Sequence, residues 1–427
     1  MNPNHFTIVF LAVLALSTGL RLWLDLRHLH HVLAHRDRVP ADFVGRIELV
    51  EHRKAADYTA AKVDLGLIEI GVDTLVLLAL TFGGVLGWID QALHSGLGSG
   101  YLKGLALFAC VGLLGFVVGL PASLYRSFVI EERFGFNKLT WQLWLADLAK
   151  GAVLTVLIGG PLLFAVLWLM DVMGKNWWFY VWLVWLATNL LVLFLYPTVI
   201  APLFNKFTPL EDASLKKRIE ALLARCGFAS SGLFVMDGSK RSAHGNAYFT
   251  GFGRSKRIVF FDTLLQKLAP QEIEAVLAHE LGHFRHRHVI KRIALSAAMS
   301  LAFLWLLGQI IDQAWFYAGL GVGAGNTALG LLLFSLVLPV FLFPLAPLTS
   351  ALSRQHEYEA DAYAAKQTAA GDLIAALVKL YRDNAATLTP DPLHSLFHDS
   401  HPPASQPAHR AAAPRITFMA VSDARRS

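Results

Sequence analysis

Seven long runs of apolar residues stand out along the chain, separated by more polar stretches. They cover residues 6–24, 67–89, 102–124, 152–170, 177–199, 293–311 and 329–348. An α-helix rises about 1.5 Å per residue, so roughly 20 apolar residues cross the hydrocarbon core of a bilayer. We therefore predict seven transmembrane helices. The first run lacks a preceding basic segment and a small-residue cleavage site, so we interpret it as a span and not as a removed signal peptide.

The second run carries two carboxylates. Glu69 and Asp73 are four residues apart and therefore share one helix face. Because a carboxylate facing lipid is costly, we expect both to face the interior of the bundle or a water-filled cavity. An equally good alternative is that the pair lies near a helix end, where it is solvated or hydrogen-bonded locally.

Basic residues are distributed unevenly between the runs. They are frequent after the first, third and fifth runs, whereas the alternate loops contain only Lys103 and Lys175. Cytoplasmic loops of membrane proteins carry an excess of Lys and Arg, so this bias predicts an external N-terminus and a cytoplasmic C-terminus. The two long polar segments, 200–292 and 350–427, then lie on the same cytoplasmic side and can build one site between them.

The composition agrees with a membrane protein and limits the kinds of metal site and binding partner that the chain can have. Of the 427 residues, 55% are hydrophobic and only 16% are charged, and the mean hydropathy is +0.49. These values exclude a purely soluble chain and a disordered one. The two cysteines, Cys110 and Cys226, exclude a disulfide framework and a cysteine-based zinc site. The net charge of +6 comes without a Lys/Arg tract, so nucleic acid is excluded as a partner. The lipid bilayer is the expected surrounding.

The segment between the fifth and sixth runs contains the pattern H-E-x-x-H. His279 and His283 are four residues apart in a helix-favouring stretch that begins after Pro270. This spacing projects both imidazoles from one face, where they can bind one zinc ion, and it puts Glu280 beside the bound water as a general base. Because the pattern is short and recurs by chance, its context on a helix at a membrane edge is what favours a zinc site over two surface histidines.

A zinc protease of this kind needs a third protein ligand. The metzincin pattern is excluded because His286 and Val289 stand where it requires Gly and His. The thermolysin-like pattern requires a Glu on a later helix, and a polar run after the seventh span supplies Glu357. Asp361 lies one turn further on the same face and can accept the N–H of a zinc-bound imidazole. This pairing favours Glu357 over Glu359 as the ligand.

Other histidines are given ordinary roles. His286 and His288 continue the first motif among arginines and lysines, and we interpret them as part of a basic collar before the sixth span, not as ligands. The N-terminal cluster of His28, His30, His31 and His35 is interpreted as solvated loop residues, because no carboxylate pattern completes a site there.

Two motifs together carry a resemblance to a known family. V-L-A-H-E-L-G-H at 276–283 and S-R-Q-H-E-Y-E-A-D-A at 353–362 resemble the M48 family of membrane zinc proteases. The seven-span layout resembles its CAAX prenyl protease 1 branch. Further stretches similar to that branch are I-E-E-R-F-G-F-N-K at 130–138, Y-P-T-V-I-A-P-L-F-N-K-F-T-P-L at 196–210, G-S-K-R-S-A-H-G-N-A-Y-F-T-G-F at 238–252 and S-H-P-P at 400–403.

The resemblance implies specific roles for residues of this chain. It implies one zinc ion per chain held by His279, His283 and Glu357, with Glu280 as the general base. It also implies that Asn246 binds the substrate backbone and that His401 helps to stabilise the oxyanion. The chain departs from the family after S-H-P-P, where Pro407 and Pro414 interrupt the expected terminal helix.

The predicted fold is mainly α: a polytopic membrane protein with about seven transmembrane helices and a cytoplasmic gluzincin-like zinc protease domain. Residues 1–199 hold five spans with cytoplasmic loops, 200–292 form a cytoplasmic catalytic segment with the H-E-L-G-H helix, 293–349 hold two spans, and 350–427 form a cytoplasmic segment with the third zinc ligand and the C-terminal tail.

The predicted function is a membrane-embedded zinc endopeptidase that hydrolyses membrane-associated or C-terminally lipidated protein or peptide substrates. The alternatives are a membrane-protein quality-control protease like HtpX and a catalytically inactive scaffold. An integral multi-pass protein is expected, in the inner membrane of a bacterium or the endoplasmic reticulum of a eukaryote, with its active site facing the cytoplasm. The use of prenylated substrates and the oligomeric state stay open.

Overall fold

The computed structural model describes residues 2–250, 257–323 and 325–403 of the chain. Its first half consists of helices α1 (Pro3–Ala34), α2 (Leu49–Leu80), α3 (Val85–Leu97), α4 (Tyr101–Tyr125), α5 (Glu131–Arg133), α6 (Trp141–Leu154), α7 (Gly160–Val172), α8 (Trp177–Leu195) and α9 (Ala201–Phe204). Three π-helical turns, at Arg126–Ile130, Thr155–Gly159 and Tyr196–Ile200, continue α4, α6 and α8. The part of the tail that contains Pro407 and Pro414 lies outside the described residues.

The predicted number of spans is confirmed. Among the described residues, six helical stretches are long and apolar enough to cross a bilayer, and a bent pair of helices brings the number to seven. Large apolar side chains remain on the outside of these helices, such as Val156 at 69% and Leu348 at 68% exposure. Apolar surface of this extent is expected where helices contact lipid.

The second predicted span is wrong in one respect, because it is not a single straight helix over 67–89. Helix α2 ends at Leu80 and α3 begins at Val85, with an angle of 51° between them. Gly84 has a φ of +74°, a left-handed conformation that Gly adopts at little cost and that stops an α-helix. In the same region, Glu69 is paired with Arg126, so this carboxylate has a cationic partner and is not left alone in an apolar environment.

A small mixed sheet follows the fifth span and was not predicted from the sequence. Its strands are β1 (Phe207–Pro209), β2 (Gly232–Met236), β3 (Ala247–Thr250) and β4 (Arg257–Phe261), in the order β1-β2-β4-β3. Only β2 and β4 are parallel, and β3 is an outer strand paired antiparallel to β4. Strands of three to five residues are too short to show a clear alternation of polar and apolar positions. Helices α10 (Ala213–Arg225), α11 (Asp262–Lys267) and α12 (Pro270–Arg285) complete this segment.

The sheet and helices share one apolar core. Ile258 and Phe260 of β4 are fully buried, and they pack with Ile219 of α10 and Leu277 of α12 in one cluster. The core holds α12 against the sheet, and α12 is the helix that carries the H-E-x-x-H pattern. Both cysteines are free, Cys110 on α4 and Cys226 just after α10.

The remaining helices follow α12, include the last two membrane spans and bring the chain back into contact with α12. They are α13 (His288–Ile310), α14 (Ala314–Ala318), α15 (Thr327–Leu342), α16 (Ala346–Gln367), α17 (Ala370–Asp383) and α18 (Pro392–His398). A short 3₁₀ turn at Phe343–Leu345 joins α15 to α16, so the helical stretch Thr327–Gln367 is nearly continuous. The seventh span thus leads directly into the helix that carries Glu357 and Asp361.

The N-terminal histidines lie on α1 or at its C-cap and not in a loop, which corrects the expectation from the sequence, whereas the expected exposure holds for His30 and His35. His28 is on α1 and is buried, with its ring stacked on His394 at a centroid distance of 4.0 Å. The backbone N–H of Asp391 donates to His28 Nδ1, and the Asp391 carboxylate accepts hydrogen bonds from Arg27. These contacts attach α18 to the first helix, and α18 lies just before His401.

Candidate active site

Helix α12 presents its two histidines from one face. Pro270 occupies the first turn, and the carboxylate of Glu272 accepts a hydrogen bond from the Ala269 backbone N–H, which closes the N-terminus of the helix. His279 and His283 are one turn apart, and their Nε2 atoms lie 3.2 Å from each other. The i, i+4 spacing therefore brings the two imidazoles together as the sequence predicts.

Helix α16 crosses α12 and brings Glu357 to the same point. Its Oε2 atom lies 3.4 Å from His279 Nε2, and its Oε1 atom lies 3.6 Å from His283 Nε2. A tetrahedral ion bound at about 2.1 Å from its ligands separates them by about 3.4 Å. The three side chains therefore fit one tetrahedral metal ion without rearrangement. They also form one of the groups of His and carboxylate residues that could hold a metal in the described part of the chain.

Asp361 supports the site from behind His279. Its Oδ1 atom lies 2.8 Å from His279 Nδ1, the ring nitrogen that faces away from Glu357. An imidazole whose Nδ1–H donates to a carboxylate has its Nε2 lone pair available for a metal. Glu357 and Asp361 are one turn apart on α16, so one helix face supplies both the carboxylate between the histidines and the acceptor behind one of them.

The electrostatics of the site favour a positive charge. Burial lowers the pKa of His279, but the hydrogen bonds to Asp361 and Glu357 outweigh burial and raise this pKa to about 10. The contact with Glu357 likewise raises the pKa of His401. In both residues the neighbouring carboxylates thus favour the positively charged form.

Glu280 faces a cavity of about 680 Å³ that is also lined by His279 and Glu357. Burial raises the pKa of its carboxyl group, against the opposing effect of the two histidines. A carboxylate with a raised pKa exchanges protons more readily near neutral pH. Apolar side chains of α17, including Leu373 and Leu377, form another wall of the cavity. The cavity thus combines a polar end at His279 with an apolar wall.

Asn246 and His401 line this same cavity, although they are distant from each other in the sequence. Asn246 immediately precedes β3, and its Oδ1 atom accepts a hydrogen bond from the Ala247 backbone N–H. This bond leaves the Nδ2 group as the donor. His401 follows α18, and its Nδ1 atom lies 2.8 Å from Glu357 Oε2. The fold therefore brings together the residues that local spacing does not connect.

One pair of residues beside the site was not recognised from the sequence. His288, which was interpreted as part of a basic collar, is buried with its Nδ1 atom 2.9 Å from His283 Nδ1. Glu359 lies 2.9 Å from the other ring nitrogen of His288 and does not reach the point between His279 and His283. No local signal in the sequence indicated this contact, because a separation of five residues does not place His283 and His288 on the same face of a helix.

A separate group of side chains that could bind a metal lies between α1 and α18. Asp25, His394 and His398 offer ligand atoms within 4.8 Å of one another. The rings of His394 and His398 are stacked, with centroids 4.2 Å apart and an angle of 17° between the planes. This stacking favours a packing role for the two histidines.

Residues 28–206 match the family described as the CAAX prenyl protease N-terminal region with five membrane helices, and residues 209–413 match peptidase family M48. The chain is 40% identical to CAAX prenyl protease 1 of Saccharomyces cerevisiae over 316 residues, which is 70% of each chain. It belongs to the CAAX prenyl protease 1 family of M48 peptidases.

Other members of the CAAX prenyl protease 1 family agree over longer stretches. The homolog from Arabidopsis thaliana is 37% identical over 395 residues, which cover 89% of this chain and 91% of the relative. The crystal structure of S. mikatae Ste24p superposes with a TM-score of 0.86 at 33% identity, over 96% of this chain and 98% of that one. The fold predicted from the sequence is confirmed by this match.

Membership of this family confirms the predicted class of enzyme. The protein is a multi-pass membrane metallopeptidase that acts on peptide or protein substrates. The match of residues 28–206 to the five-helix region also supports the branch that the flanking sequence stretches indicated over the HtpX-like alternative.

Proposed function

We propose that this protein is a zinc endopeptidase that cleaves membrane-associated polypeptides carrying a C-terminal prenyl group. The observation that carries the proposal is the convergence of His279, His283 and Glu357, with ligand atoms 3.2–3.6 Å apart, at one end of a cavity that also contains Glu280. Two neutral imidazoles and one carboxylate are the ligand set typical of a catalytic zinc ion with one open position.

One zinc ion per chain is the metal we infer from this ligand set. Nitrogen and oxygen donors in tetrahedral arrangement suit zinc, whereas calcium and magnesium prefer six or more oxygen ligands. Zinc bound here would polarise the scissile carbonyl and lower the pKa of a water molecule. Asp361 holds the His279 ring in the orientation that this binding requires.

Glu280 is the residue that moves protons in the proposed reaction. Its carboxylate takes a proton from the attacking water and then delivers it to the nitrogen of the departing amine. Glu280 directly follows His279 on α12, so its carboxylate lies beside the proposed metal ligands. Its side chain also lines the cavity. The raised pKa of Glu280 suits both halves of this transfer.

Asn246 and His401 hold the substrate in the proposed complex. Asn246 Nδ2 donates to the substrate backbone, and protonated His401 donates to the oxygen that becomes negative at the scissile carbonyl. The outer strand β3 begins directly after Asn246, and an extended peptide can pair with such an edge. The substrate would therefore cross the cavity in an extended conformation.

The proposed substrate class rests on the surroundings of the cavity. The relatives of this chain are named CAAX prenyl proteases, the chain has helices that can cross a membrane, and Leu373 and Leu377 give the cavity an apolar wall. A substrate with a lipid near its C-terminus would be concentrated in the bilayer beside this cavity. Cleavage near the lipidated end then follows from the shared location of enzyme and substrate.

The proposed sidedness follows from the loop charges. Segments 200–292 and 350–427 carry the site, and the excess of Lys and Arg in the loops on their side favours the cytoplasm. In the proposed division of the chain, segments 1–199 and 293–349 provide the membrane spans. The cytoplasmic face of the endoplasmic reticulum or of a bacterial inner membrane is the proposed location.

The experiment uses the full chain purified in detergent or lipid nanodiscs. Metal content is measured by mass spectrometry of the elements, and cleavage is mapped by peptide mass spectrometry on two matched peptides, one with a farnesylated Cys near its C-terminus and one without the lipid. We expect one zinc per chain, one cut near the lipidated Cys, and much slower cleavage of the unmodified peptide. His283→Ala is the control and should lose both metal and cleavage.

The two halves of the proposal fail separately in this experiment. Equal cleavage of the two peptides would contradict the prenylated substrate and favour a general membrane protease. Full zinc occupancy in the His283→Ala variant would contradict the assigned ligands.

A further inference from the structure

A buried histidine lies directly behind the second histidine of α12. His288 is only 1% exposed, and its Nδ1 atom lies 2.9 Å from His283 Nδ1. Its other ring nitrogen, Nε2, lies 2.9 Å from Oε2 of Glu359. The three side chains therefore form a continuous chain of short contacts from the metal ligand to a carboxylate on α16.

The direction of these hydrogen bonds follows from the side of His283 that faces the metal site. Its Nε2 atom points to His279 Nε2 and to Glu357, so the lone pair for the metal is on Nε2 and the hydrogen is on Nδ1. His283 Nδ1–H therefore donates to His288 Nδ1. A neutral His288 then carries its own hydrogen on Nε2 and donates it to Glu359. Each ring N–H of the chain has an acceptor in this arrangement.

The backbone between α12 and α13 makes this contact possible. Arg287 adopts a left-handed conformation with a φ of 56° and a ψ of 34°, which ends α12 and starts α13 at His288. A straight continuation of α12 would carry His288 to a different face, because five residues correspond to about 500° of rotation. The break turns the His288 ring back toward His283 instead.

Packing then fixes the ring of His288. His356, which is also buried, stacks on it with ring centroids 4.0 Å apart and an angle of 15° between the planes. Lys291 Nζ lies 3.8 Å from Glu359 Oε2 and adds a cation beside the terminal carboxylate. The orientation of His288 is thus set at one face of its ring by His356 and at its outer nitrogen by Glu359.

We propose that His288 and Glu359 are positioning residues that hold His283 in its metal-binding orientation. This proposal rests on the zinc site proposed above. It gives His283 the same kind of support that Asp361 gives His279, with one difference: Asp361 touches its histidine directly at 2.8 Å, whereas Glu359 acts through His288. Both ligating histidines of α12 are then oriented by carboxylates of α16.

A second metal ion is the competing interpretation of the same residues. His286, His288 and Glu359 also offer ligand atoms within 4.8 Å of one another. In the proposed arrangement His288 uses Nδ1 to accept from His283 and Nε2 to donate to Glu359, so neither nitrogen is left for a second metal. A wild-type protein that binds two zinc ions per chain would therefore overturn the proposal.

The experiment compares three variants of the full chain. His288→Leu removes the acceptor behind His283, whereas His288→Asn keeps one, because the amide Oδ1 occupies nearly the position of the imidazole Nδ1. His52→Leu is the matched control, since His52 is also only 1% exposed but lies on α2, where its Nε2 atom is 2.9 Å from the His35 carbonyl oxygen. The first measurement is zinc affinity by competition with a chelator. The second is the visible spectrum of the Co²⁺-substituted protein, which reports ligand geometry.

We expect His288→Leu to weaken zinc binding by about 10–100-fold, the range usual for residues that orient metal ligands. The Co²⁺ spectrum should change in this variant. His288→Asn should recover most of the affinity, and His52→Leu should match the wild type in both measurements. A purely structural role for His288 would lower the thermal midpoint of both His288 variants without restoring zinc affinity in the Asn variant, and this result would overturn the proposal.

Glu359→Leu is a second test that does not open the buried site, because Glu359 is partly exposed at 29%. It should weaken zinc binding, whereas Glu359→Gln, which keeps an acceptor oxygen, should not. Unchanged zinc affinity in both His288→Leu and Glu359→Leu would overturn the positioning role alone. The zinc site itself would fail only if His283→Ala retained the metal, so the two failures are distinguishable.

Discussion

Gly282 packs directly against Ala360 where α12 crosses α16. A Cβ atom built on Gly282 would lie 2.7 Å from Ala360 Cα and 3.0 Å from its carbonyl oxygen, closer than van der Waals contact permits. Gly282 immediately precedes His283, and Ala360 immediately precedes Asp361. The absence of a side chain at Gly282 therefore allows α12 and α16 to approach closely enough for the proposed metal ligands His279, His283 and Glu357 to meet.

We expect Gly282→Ala to push α12 and α16 apart. The steric cost should lower the free energy of unfolding by about 1–3 kcal/mol, and zinc affinity should fall because the three ligands separate. Gly371→Ala is the matched control: an added Cβ there meets nothing within 4 Å, so this variant should be neutral or slightly stabilised. Thermal unfolding and chelator competition on both proteins provide the measurement. Equal zinc affinity in the two variants would contradict the role of the close approach.

Replacement of Glu280 by Gln should separate catalysis from metal binding. The variant keeps the size of the side chain and removes the base, so turnover should fall by at least about 10²–10⁴-fold. Zinc content should persist, since Glu280 is not among the converging ligands. Peptide cleavage and metal content are measured on the same preparation. A near-normal rate would contradict the proton transfer assigned to Glu280 and would favour the alternative of a scaffold.

Substitutions of the two α16 carboxylates, Glu357 and Asp361, should lower zinc affinity more strongly the closer the carboxylate lies to the proposed metal. Asp361→Asn leaves an acceptor oxygen near His279 but removes its charge, so zinc affinity or activity should fall by about 10–100-fold. Glu357→Gln removes a ligand and should be far more damaging. Chelator competition under matched conditions ranks the two variants. If Asp361→Asn were the more damaging change, the third ligand would be Asp361 and not Glu357.

The sidedness of the protein can be tested with single cysteines at exposed positions. In a background without Cys110 and Cys226, we place cysteines at Ser214, Lys366 and Gln313, all of which are exposed. The positive-inside bias predicts that Ser214→Cys and Lys366→Cys react with a membrane-impermeant reagent from the cytoplasmic side. Gln313→Cys should react from the opposite side. Labelling of Ser214→Cys and Lys366→Cys from opposite sides would exclude a site shared by α12 and α16.

The attachment of α18 to α1 should matter for activity through His401. Asp391 accepts hydrogen bonds from the Leu393 and His394 backbone N–H groups at the start of α18 and also binds Arg27. Asp391→Ala should cost about 0.5–2 kcal/mol through the lost helix cap. It should also lower the rate of cleavage, because α18 leads to His401.

Asp212→Ala is the control for this change. Asp212 caps α10 in the same way, accepting from the Leu215 backbone N–H, but it lies away from the cavity. It should lower the thermal midpoint without a comparable loss in the rate of cleavage. Similar losses of rate in the two variants would mean that α18 has no specific role in activity.

Local periodicity in the sequence determined the main part of the site. The i, i+4 spacing places His279 beside His283 and Glu357 on the same face as Asp361, because it is a property of the helical backbone alone. The number of spans follows equally from the length of the apolar runs and the thickness of a bilayer. Neither result depends on which helices pack together. Asn246 and His401 had no such local signal and were reached only through resemblance to a family.

Tertiary structure decided what lies across breaks in the helices. The bend after Leu80 depends on the left-handed conformation of Gly84, and the contact of His288 with His283 depends on that of Arg287. In both cases one residue redirects the chain, so a helical wheel drawn from the sequence gives the wrong face. The stacking of the buried His28 on His394 joins two residues that are more than 360 positions apart in the sequence. Such contacts are set by packing free energy summed over many residues, which no local spacing encodes.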